Sequence, residues 1–312
     1  MKKILFIVYI TIIFSLGGEN PWGTFNIPSN AGDLSLSRAN ISKGTVGFYQ
    51  FSNPALLPTT SQLDYGMCYN MMSLDRSTEV FSLNLKLPPN AGVGISLMRS
   101  GTSNIQGTDI FNNKTDILSN HDILGMISFG VSINKYFSMG INIKASSSNL
   151  DNILYDDNNS YSISNKGIGI DGGLLFNYSK LALAVKLENI KSSKSWNLNL
   201  NTGSNSYDEE VPLLYRLGTH YSTLNDKLIF YLSGDNALDS FSLNKFGLEI
   251  APVKANLKIK CGVSKISGIS PTLGFDYHGK IWGNILFNLN YGIAFGSVDE
   301  GMSHIFTWTF IR

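Results

Sequence analysis

The stretch Ile127-Ser128-Phe129-Gly130-Val131-Ser132-Ile133-Asn134-Lys135-Tyr136-Phe137-Ser138-Met139-Gly140-Ile141-Asn142-Ile143-Lys144-Ala145 decides the fold class. Ile127, Phe129, Val131 and Ile133 alternate with Ser128, Gly130 and Ser132. After a turn around Asn134-Lys135, Phe137, Met139, Ile141 and Ile143 alternate with Ser138, Gly140, Asn142 and Lys144. A period of two places one set on each face of an extended chain, so the stretch reads as a β-hairpin with one apolar and one small-or-polar face.

The same pattern recurs in both directions along the chain. At the C-terminal end Met302, His304, Phe306, Trp308 and Phe310 share one face, and Ser303, Ile305, Thr307 and Thr309 the other. Segments of this kind fall at roughly 61–72, 79–87, 91–99, 122–134, 136–147, 166–178, 180–190, 211–222, 227–236, 241–251, 254–264, 269–278, 282–294 and 302–311. Their lengths cluster near the about 9–11 residues that a tilted strand needs to cross a bilayer. Aliphatic-out with small-or-polar-in is the pattern of a membrane barrel, whereas a soluble sandwich uses shorter strands and turns its apolar face inward. The expectation is an all-β chain folded as a transmembrane antiparallel β-barrel of about fourteen strands.

The connections point the same way. The long gaps at 100–121, 145–165 and 191–210 follow the third, fifth and seventh segments, and so lie on one side of the membrane. The short connections at Pro88-Pro89-Asn90, Ser179-Lys180 and Gly279-Lys280 lie on the other. Membrane barrels show this asymmetry, with short periplasmic turns and longer outer loops. The gaps are rich in Asn, Ser, Asp and Gly, the composition of solvated loops.

Met1-Lys2-Lys3, an apolar run from Ile4 to Leu16, and then Gly17-Gly18 read as a signal peptide. The chain therefore divides into a leader at 1–18, an N-terminal plug-like segment at 19–58 and a barrel at 59–312. The expected location is the outer membrane of a Gram-negative-type bacterium. Charged residues are only 15% of the chain, below the soluble average, and the net charge of +1 offers nucleic acid no electrostatic footprint. The two cysteines, Cys68 and Cys261, fall on opposite faces and make poor disulfide partners. No Cys/His cluster suggests a metal, and no cofactor motif is present: Gly167 to Gly173 lacks the Gly-Lys-Ser/Thr ending of a phosphate loop.

Several strings resemble a known family. Ala31-Gly32 through Asn53-Pro54-Ala55-Leu56, Gly140 to Lys144, Asp171-Gly172-Gly173-Leu174-Leu175 and Leu187-Glu188-Asn189-Ile190 resemble the PorV/PorQ family, relatives of the FadL-type long-chain fatty acid transporters. Pro212-Leu213-Leu214-Tyr215-Arg216-Leu217-Gly218, Gly247-Leu248-Glu249, and Asn290-Tyr291 followed by His304 continue the likeness in family order. The residues carried over are Asn53, Pro54, Asp171, Asn189, Pro212, Arg216, Gly218 and Glu249. The resemblance implies a fourteen-stranded outer-membrane barrel whose N-terminal segment packs at or inside the lumen. This chain departs from the family at Ser37-Arg38-Ala39-Asn40-Ile41-Ser42-Lys43-Gly44, where a Gly-rich and acidic pattern is usual, and at its Phe310-Ile311-Arg312 end.

On the strand register, Lys144, Asp171, Lys186, Glu188, Arg216, Glu249 and Lys258 face inward, with Asp235 and Lys260. They form either a polar path or cross-strand ion pairs filling a narrow lumen. Tyr65, Tyr69, Tyr136, Phe137, Tyr178, Tyr221, Trp282, Trp308 and Phe310 fit interfacial girdles. None of His121, His220, His278 and His304 shows a nucleophile and acid in register, so a non-enzymatic role is expected. Three roles are weighed, with docking as the main reading, because the mixed inward charges argue against the continuous apolar pocket that transport predicts. The PorV likeness suggests docking of secreted proteins for a type IX secretion system, with loop residues from Ile105 to Ile117 and from Trp196 to Tyr207 as the surface. The FadL relationship suggests passage of hydrophobic small molecules through a bulged strand opening sideways to lipid. The third is a structural barrel whose partner is outer-membrane lipid alone.

Overall fold

A computed structural model describes residues 25–108, 114–156, 159–200, 203–238, 240–252, 256–265, 269–281, 285–295 and 301–312. The expected leader and Trp282 lie outside these residues. The strands are β1 (Leu63–Met71), β2 (Arg76–Leu87), β3 (Ala91–Thr108), β4 (Lys114–Ser132), β5 (Phe137–Asp156), β6 (Asn159–Tyr178), β7 (Leu181–Leu200), β8 (Gly203–Glu210), β9 (Leu214–Thr223), β10 (Leu228–Leu238), β11 (Ser240–Ile250), β12 (Leu257–Lys265), β13 (Ile269–Lys280), β14 (Leu286–Phe295) and β15 (Met302–Ile311). Each pairs antiparallel with a neighbour in sequence, and β1 pairs with β15 from Asp64–Ile311 to Met71–His304, which closes the wall. β8 and β9 both pair with β7, at 193–200 and at 181–188, so they are two halves of one stave. The barrel thus has fourteen staves.

The hairpin of β4 and β5 shows why this sequence closes a barrel in lipid. Ile127 lies opposite Ile143, Phe129 opposite Ile141 and Val131 opposite Met139, all on the outside. Ser128 opposite Asn142 and Gly130 opposite Gly140 face inward. Phe129 and Ile141 remain 44% and 42% exposed, so the apolar face is not a core but a surface for acyl chains. Tyr136 packs against Phe176 and Tyr178 at the turn end of this wall, as a girdle requires. Cys68 is buried on the inner side, and both cysteines are free.

Among the described residues the three long gaps are largely strand rather than loop, and this corrects the sequence reading. β3 to β7 run for 18 to 20 residues and carry their ladders well into those gaps. At about 3.3 Å per residue a strand of that length is roughly 60 Å long, and at a tilt of about 45° it still covers about 42 Å along the membrane normal, more than the roughly 30 Å hydrocarbon core. The outer halves extend beyond the hydrocarbon core, where no lipid demands a continuous apolar face, so the strict alternation is lost while the backbone pairing continues. A second correction concerns the eighth segment, read as one strand over 211–222. The ladder is broken at 211–213, because Pro212 has no N–H to donate.

The N-terminal segment fills the inside. It folds as α1 (Ala31–Ser35), α2 (Tyr49–Ser52) and a 3-10 helix (Pro54–Thr59), and nearly all of 29–60 is buried. Asn30 caps α1 by accepting from the Asp33 N–H at 2.9 Å. The Asp33 carboxylate then accepts from Ser29 at 3.0 Å and Asn40 at 2.7 Å, which holds the turns together. The wall is cut away where the segment touches it. A β-carbon on Gly130 or Gly140 would lie 2.5 Å from the Pro54 carbonyl oxygen, and one on Gly262 would lie 2.6 Å from the Leu36 carbonyl carbon. Glycine is needed at these places for close approach rather than for its dihedral freedom.

Candidate functional site

The lumen is divided lengthwise. From β5 round to β13 its inner face carries charge: Lys144, Asp171, Lys186, Glu188, Arg216, Asp235, Lys245, Glu249, Lys260 and Asp276 are buried or nearly so. From β15 through β1 to β4 the inner face presents Ile305, Cys68, Val80, Met98 and Leu124, which form one cluster with Phe48 of the N-terminal segment, set among buried polar residues that include Asp64 and Asp122. Val211, at the break between β8 and β9, belongs to the same cluster, and Phe25, Ile27 and Phe51 pack against it. Mixed charge in the lumen therefore does not preclude an apolar cluster, because most of the charge lies on the other side.

The charged side is paired almost throughout. Lys144 meets Asp171 at 2.7 Å and the Asn189 Oδ1 at 2.7 Å. Lys186 meets Glu188 at 2.8 Å and donates to the Phe51 carbonyl at 2.6 Å, and Arg216 meets Glu188 at 3.4 Å. Lys245 pairs with Asp235, and Lys260 with Asp276. Glu249 takes Lys258 at 3.3 Å and Lys43 of the N-terminal segment at 3.9 Å. Low-dielectric surroundings make such pairing necessary, since a lone buried charge costs several kcal/mol, of order 3–5 when one partner is removed.

The residues carried over by resemblance have separate places. Asn53 and Pro54 start the 3-10 helix; the Asn53 Nδ2 donates to the carbonyls of Leu174 and Val185, at 3.2 Å each, tying the segment to β6 and β7. Asp171 accepts from the Asn189 N–H at 2.9 Å, and the Asn189 Nδ2 donates to the Pro212 carbonyl at 3.2 Å. Asn189 has φ of 62° and sits where β7 bulges against β6, between the Ile170 and Gly172 pairings. Gly218 makes room for Ile41.

Beside this bulge the wall has a lateral notch. The β9–β10 ladder ends at the Asp235–Arg216 pair, and β8 pairs only with β7 among the described residues. Across the gap the Asn236 side chain stands in for the missing ladder. Its Oδ1 accepts from the Tyr215 N–H at 2.8 Å and its Nδ2 donates to the Leu213 carbonyl at 3.3 Å. Pro212 was the one sequence signal for this notch.

Between the N-terminal segment and the charged side lies a cavity of ≈ 70 Å³, reached by Arg38, Lys186, Glu188 and Arg216 and roofed by Phe25, Asn26 and Ile27. An apolar cavity that binds benzene is larger, about 150 Å³, so this one suits a few waters. His220 accepts or donates to the Ser42 hydroxyl at 2.9 Å, a contact that strand register could not reveal because Ser42 comes from the N-terminal segment.

No family model matches this sequence and no curated protein matches it. The fold does match solved structures. The Pseudomonas putida toluene transporter TodX superposes with a TM-score of 0.58 at 13% identity, over 96% of this chain and 98% of that one. The Ralstonia pickettii toluene transporter TbuX gives 0.59 at 12% identity, over 89% and 97%. A Pseudomonas aeruginosa FadL homologue gives 0.56 at 12%, over 91% and 97%. At such identities the likeness is one of fold: a FadL-like, fourteen-stranded transmembrane barrel with its N-terminal segment packed inside.

Proposed function

We propose that the protein is an outer-membrane channel for small hydrophobic molecules, with the N-terminal segment as its plug and the notch beside Asn236 as its sideways exit. The observation that carries this is the apolar cluster inside the lumen, in which Ile305, Cys68, Val80, Met98 and Leu124 pack with the N-terminal segment and with Val211 at the wall break. Barrel interiors are ordinarily polar, and an apolar cluster in one is a place where a hydrophobic solute leaves water. The plug fills the lumen, whereas beside Val211 the wall lacks a β8–β10 ladder among the described residues and the Asn236 side chain bridges the gap. Barrels of this fold include toluene transporters and monoaromatic hydrocarbon channels, which agrees with that reading.

The test is uptake of labelled toluene by cells carrying the protein in an outer membrane that lacks other channels of this fold. Uptake above the empty-vector level is expected, with a loss in Leu124→Asp or Met98→Asp while the heat-dependent gel shift persists. Uptake equal to the empty vector would reject the proposal.

The PorV-like role in docking secreted proteins is a second reading, favoured by one feature. The β7–β8 hairpin carries a stacked Trp196–Tyr207 pair with ring centroids 6.2 Å apart, and Tyr207 is 62% exposed. Cross-linking of intact membranes through this hairpin should recover secreted proteins if that role is the real one. Residues 105–117, the other proposed docking stretch, lie partly outside the described residues.

A further inference from the structure

We propose that the free edge of β8, Gly203–Glu210, is a docking site for an extended, basic polypeptide segment that adds to it as one further antiparallel strand. β8 pairs with β7 along its whole length, from Gly203–Leu200 to Glu210–Ser193, and no strand stands on its other side among the described residues. The Val211 N–H donates to the Ser192 carbonyl at 3.3 Å, which continues that ladder by one pair. In an antiparallel ladder, residues with both backbone groups turned to the partner alternate with residues whose groups turn away. Counting back from Val211, the N–H and C=O of Glu210, Asp208, Ser206 and Ser204 therefore point away from β7, toward the open side.

This edge is not protected as strand edges usually are, by lysine, proline or a bulge. β8 reads Gly-Ser-Asn-Ser-Tyr-Asp-Glu-Glu, without lysine or proline, and its register against β7 is unbroken. The other end of the tall wall is protected. There β3 outlasts β2 beyond the Arg76–Thr102 pair, its register against β4 shifts twice, and the Ser103 N–H donates to the Asp75 carbonyl at 3.0 Å.

Charge and side-chain order identify the occupant. Asp208 and Glu210 are exposed on one face of β8. Asp208 accepts the Ser195 hydroxyl at 2.5 Å, and neither carboxylate has a cation within 4.0 Å among the described residues. On the other face Tyr207 stacks on Trp196, whose Nε1–H donates to the Glu209 carboxylate at 2.8 Å. An antiparallel strand laid along this edge meets two carboxylates at alternate positions on one face and the Tyr207 ring on the other. It therefore needs Lys or Arg at i and i+2, and an apolar or aromatic residue at i+3. A second copy of this chain does not fit. Two barrels upright in one membrane run β8 the same way along the normal, and at a tilt of about 35–45° the two strands cross at roughly 70–90°. The segment belongs to another polypeptide. This gives the docking reading a mode of attachment but rests on the edge alone: peptide binding decides it, whereas recovery of secreted proteins decides the docking reading.

The test uses the full-length folded protein in detergent and the labelled peptide Lys-Thr-Lys-Tyr-Thr-Val-Thr-Thr. One control is the same peptide N-methylated at its third, fifth and seventh residues, whose amides would face β8; the other has Glu for Lys. The first peptide should bind, more weakly as salt rises, and should slow hydrogen exchange over 203–210. Both controls should bind weaker by about tenfold or more, the scale of one or two hydrogen bonds or charge pairs. Ser206→Pro removes an N–H from the free edge without touching a bond to β7, and should cause a similar loss while the heat-dependent gel shift persists. Asp208→Asn with Glu210→Gln should remove the salt dependence. No binding, equal binding of the methylated peptide, or parent-like binding by a folded Ser206→Pro protein would overturn the assignment. Protection over 203–210 that rises with protein concentration and needs no peptide would assign the edge to a second copy and overturn it as well.

Discussion

Asn53 occupies the space that a side chain on Gly173 would need: a β-carbon there would overlap the Asn53 Oδ1. From that position Asn53 accepts from the Ala55 N–H at 2.9 Å and donates to two wall carbonyls. At this point the plug is docked by one side chain into one missing side chain, one of several such contacts with the wall. Gly173→Val should expel Asn53 and loosen the plug while the barrel stays closed. Hydrogen exchange would show it as faster exchange over 49–59 with unchanged protection in β1 to β4. Asn53→Ala should act the same way, costing about 1–3 kcal/mol for each polar group left unpaired. Unchanged exchange over 49–59 in both variants would show that the plug is held elsewhere.

Phe129 and Ile141 are directly opposed on the lipid face. A carboxylate at either position meets acyl chains, at a cost that depends on depth and approaches a few kcal/mol near the bilayer centre. Phe129→Asp and Ile141→Asp should each reduce assembly, and the double variant should abolish it, because like charges directly across a ladder also repel. The heat-dependent gel shift is the readout. Normal folding of both single variants would mean that this face does not meet lipid.

Inward and outward faces were legible in the sequence wherever water or protein lay on one side and lipid on the other. Phe129 outward, Asn142 inward and the charged inner residues from Lys144 to Lys258 all follow from a period of two. Beyond the membrane that contrast weakens, which is why the outer halves of β3 to β7, for example Ser148 and Asn149, read as loop. The plug contacts could not be read for another reason. Arg38 to Asn26, Ser42 to His220 and Gln50 to Ser82 join irregular chain to wall, and no periodicity connects such positions. The apolar inner cluster was hidden because Cys68, Val80, Met98 and Leu124 come from different strands, each flanked on its own strand by polar inner residues.

Lys144 and Asp171 are side chains of adjacent strands, 9% and 4% exposed and 2.7 Å apart. Lys144→Met leaves the carboxylate without its nearest cation and should destabilise the barrel by about 3–5 kcal/mol. Adding Asp171→Asn should recover much of that, since the asparagine Oδ1 can keep the bond from the Asn189 N–H. The two single changes and the double change, measured by urea unfolding in detergent, form a cycle. Strictly additive losses would show that the pair is not coupled and that the charged side is held by its backbone contacts.

Asp64 is, with Asp122 of β4, one of two buried carboxylates among the described residues on the apolar side of the lumen. It is fully buried on β1, neither carboxylate oxygen has a hydrogen-bond partner, and Asn84 directly opposite has both amide atoms unpartnered as well. An ionised carboxylate in such a place costs free energy that no contact returns, whereas an amide opposite an amide can form a cross-strand hydrogen bond. Asp64→Asn should therefore stabilise the barrel. For a chain of this size each kcal/mol gained corresponds to about 2–4 °C in unfolding temperature, within reach of a thermal melt in detergent. Asp64→Leu separates the two contributions: it removes the charge without restoring a hydrogen bond, and should fall between the parent and Asp64→Asn. A fall in stability in both variants would show that the carboxylate makes an attractive contact, and the stability argument for this strand would fail.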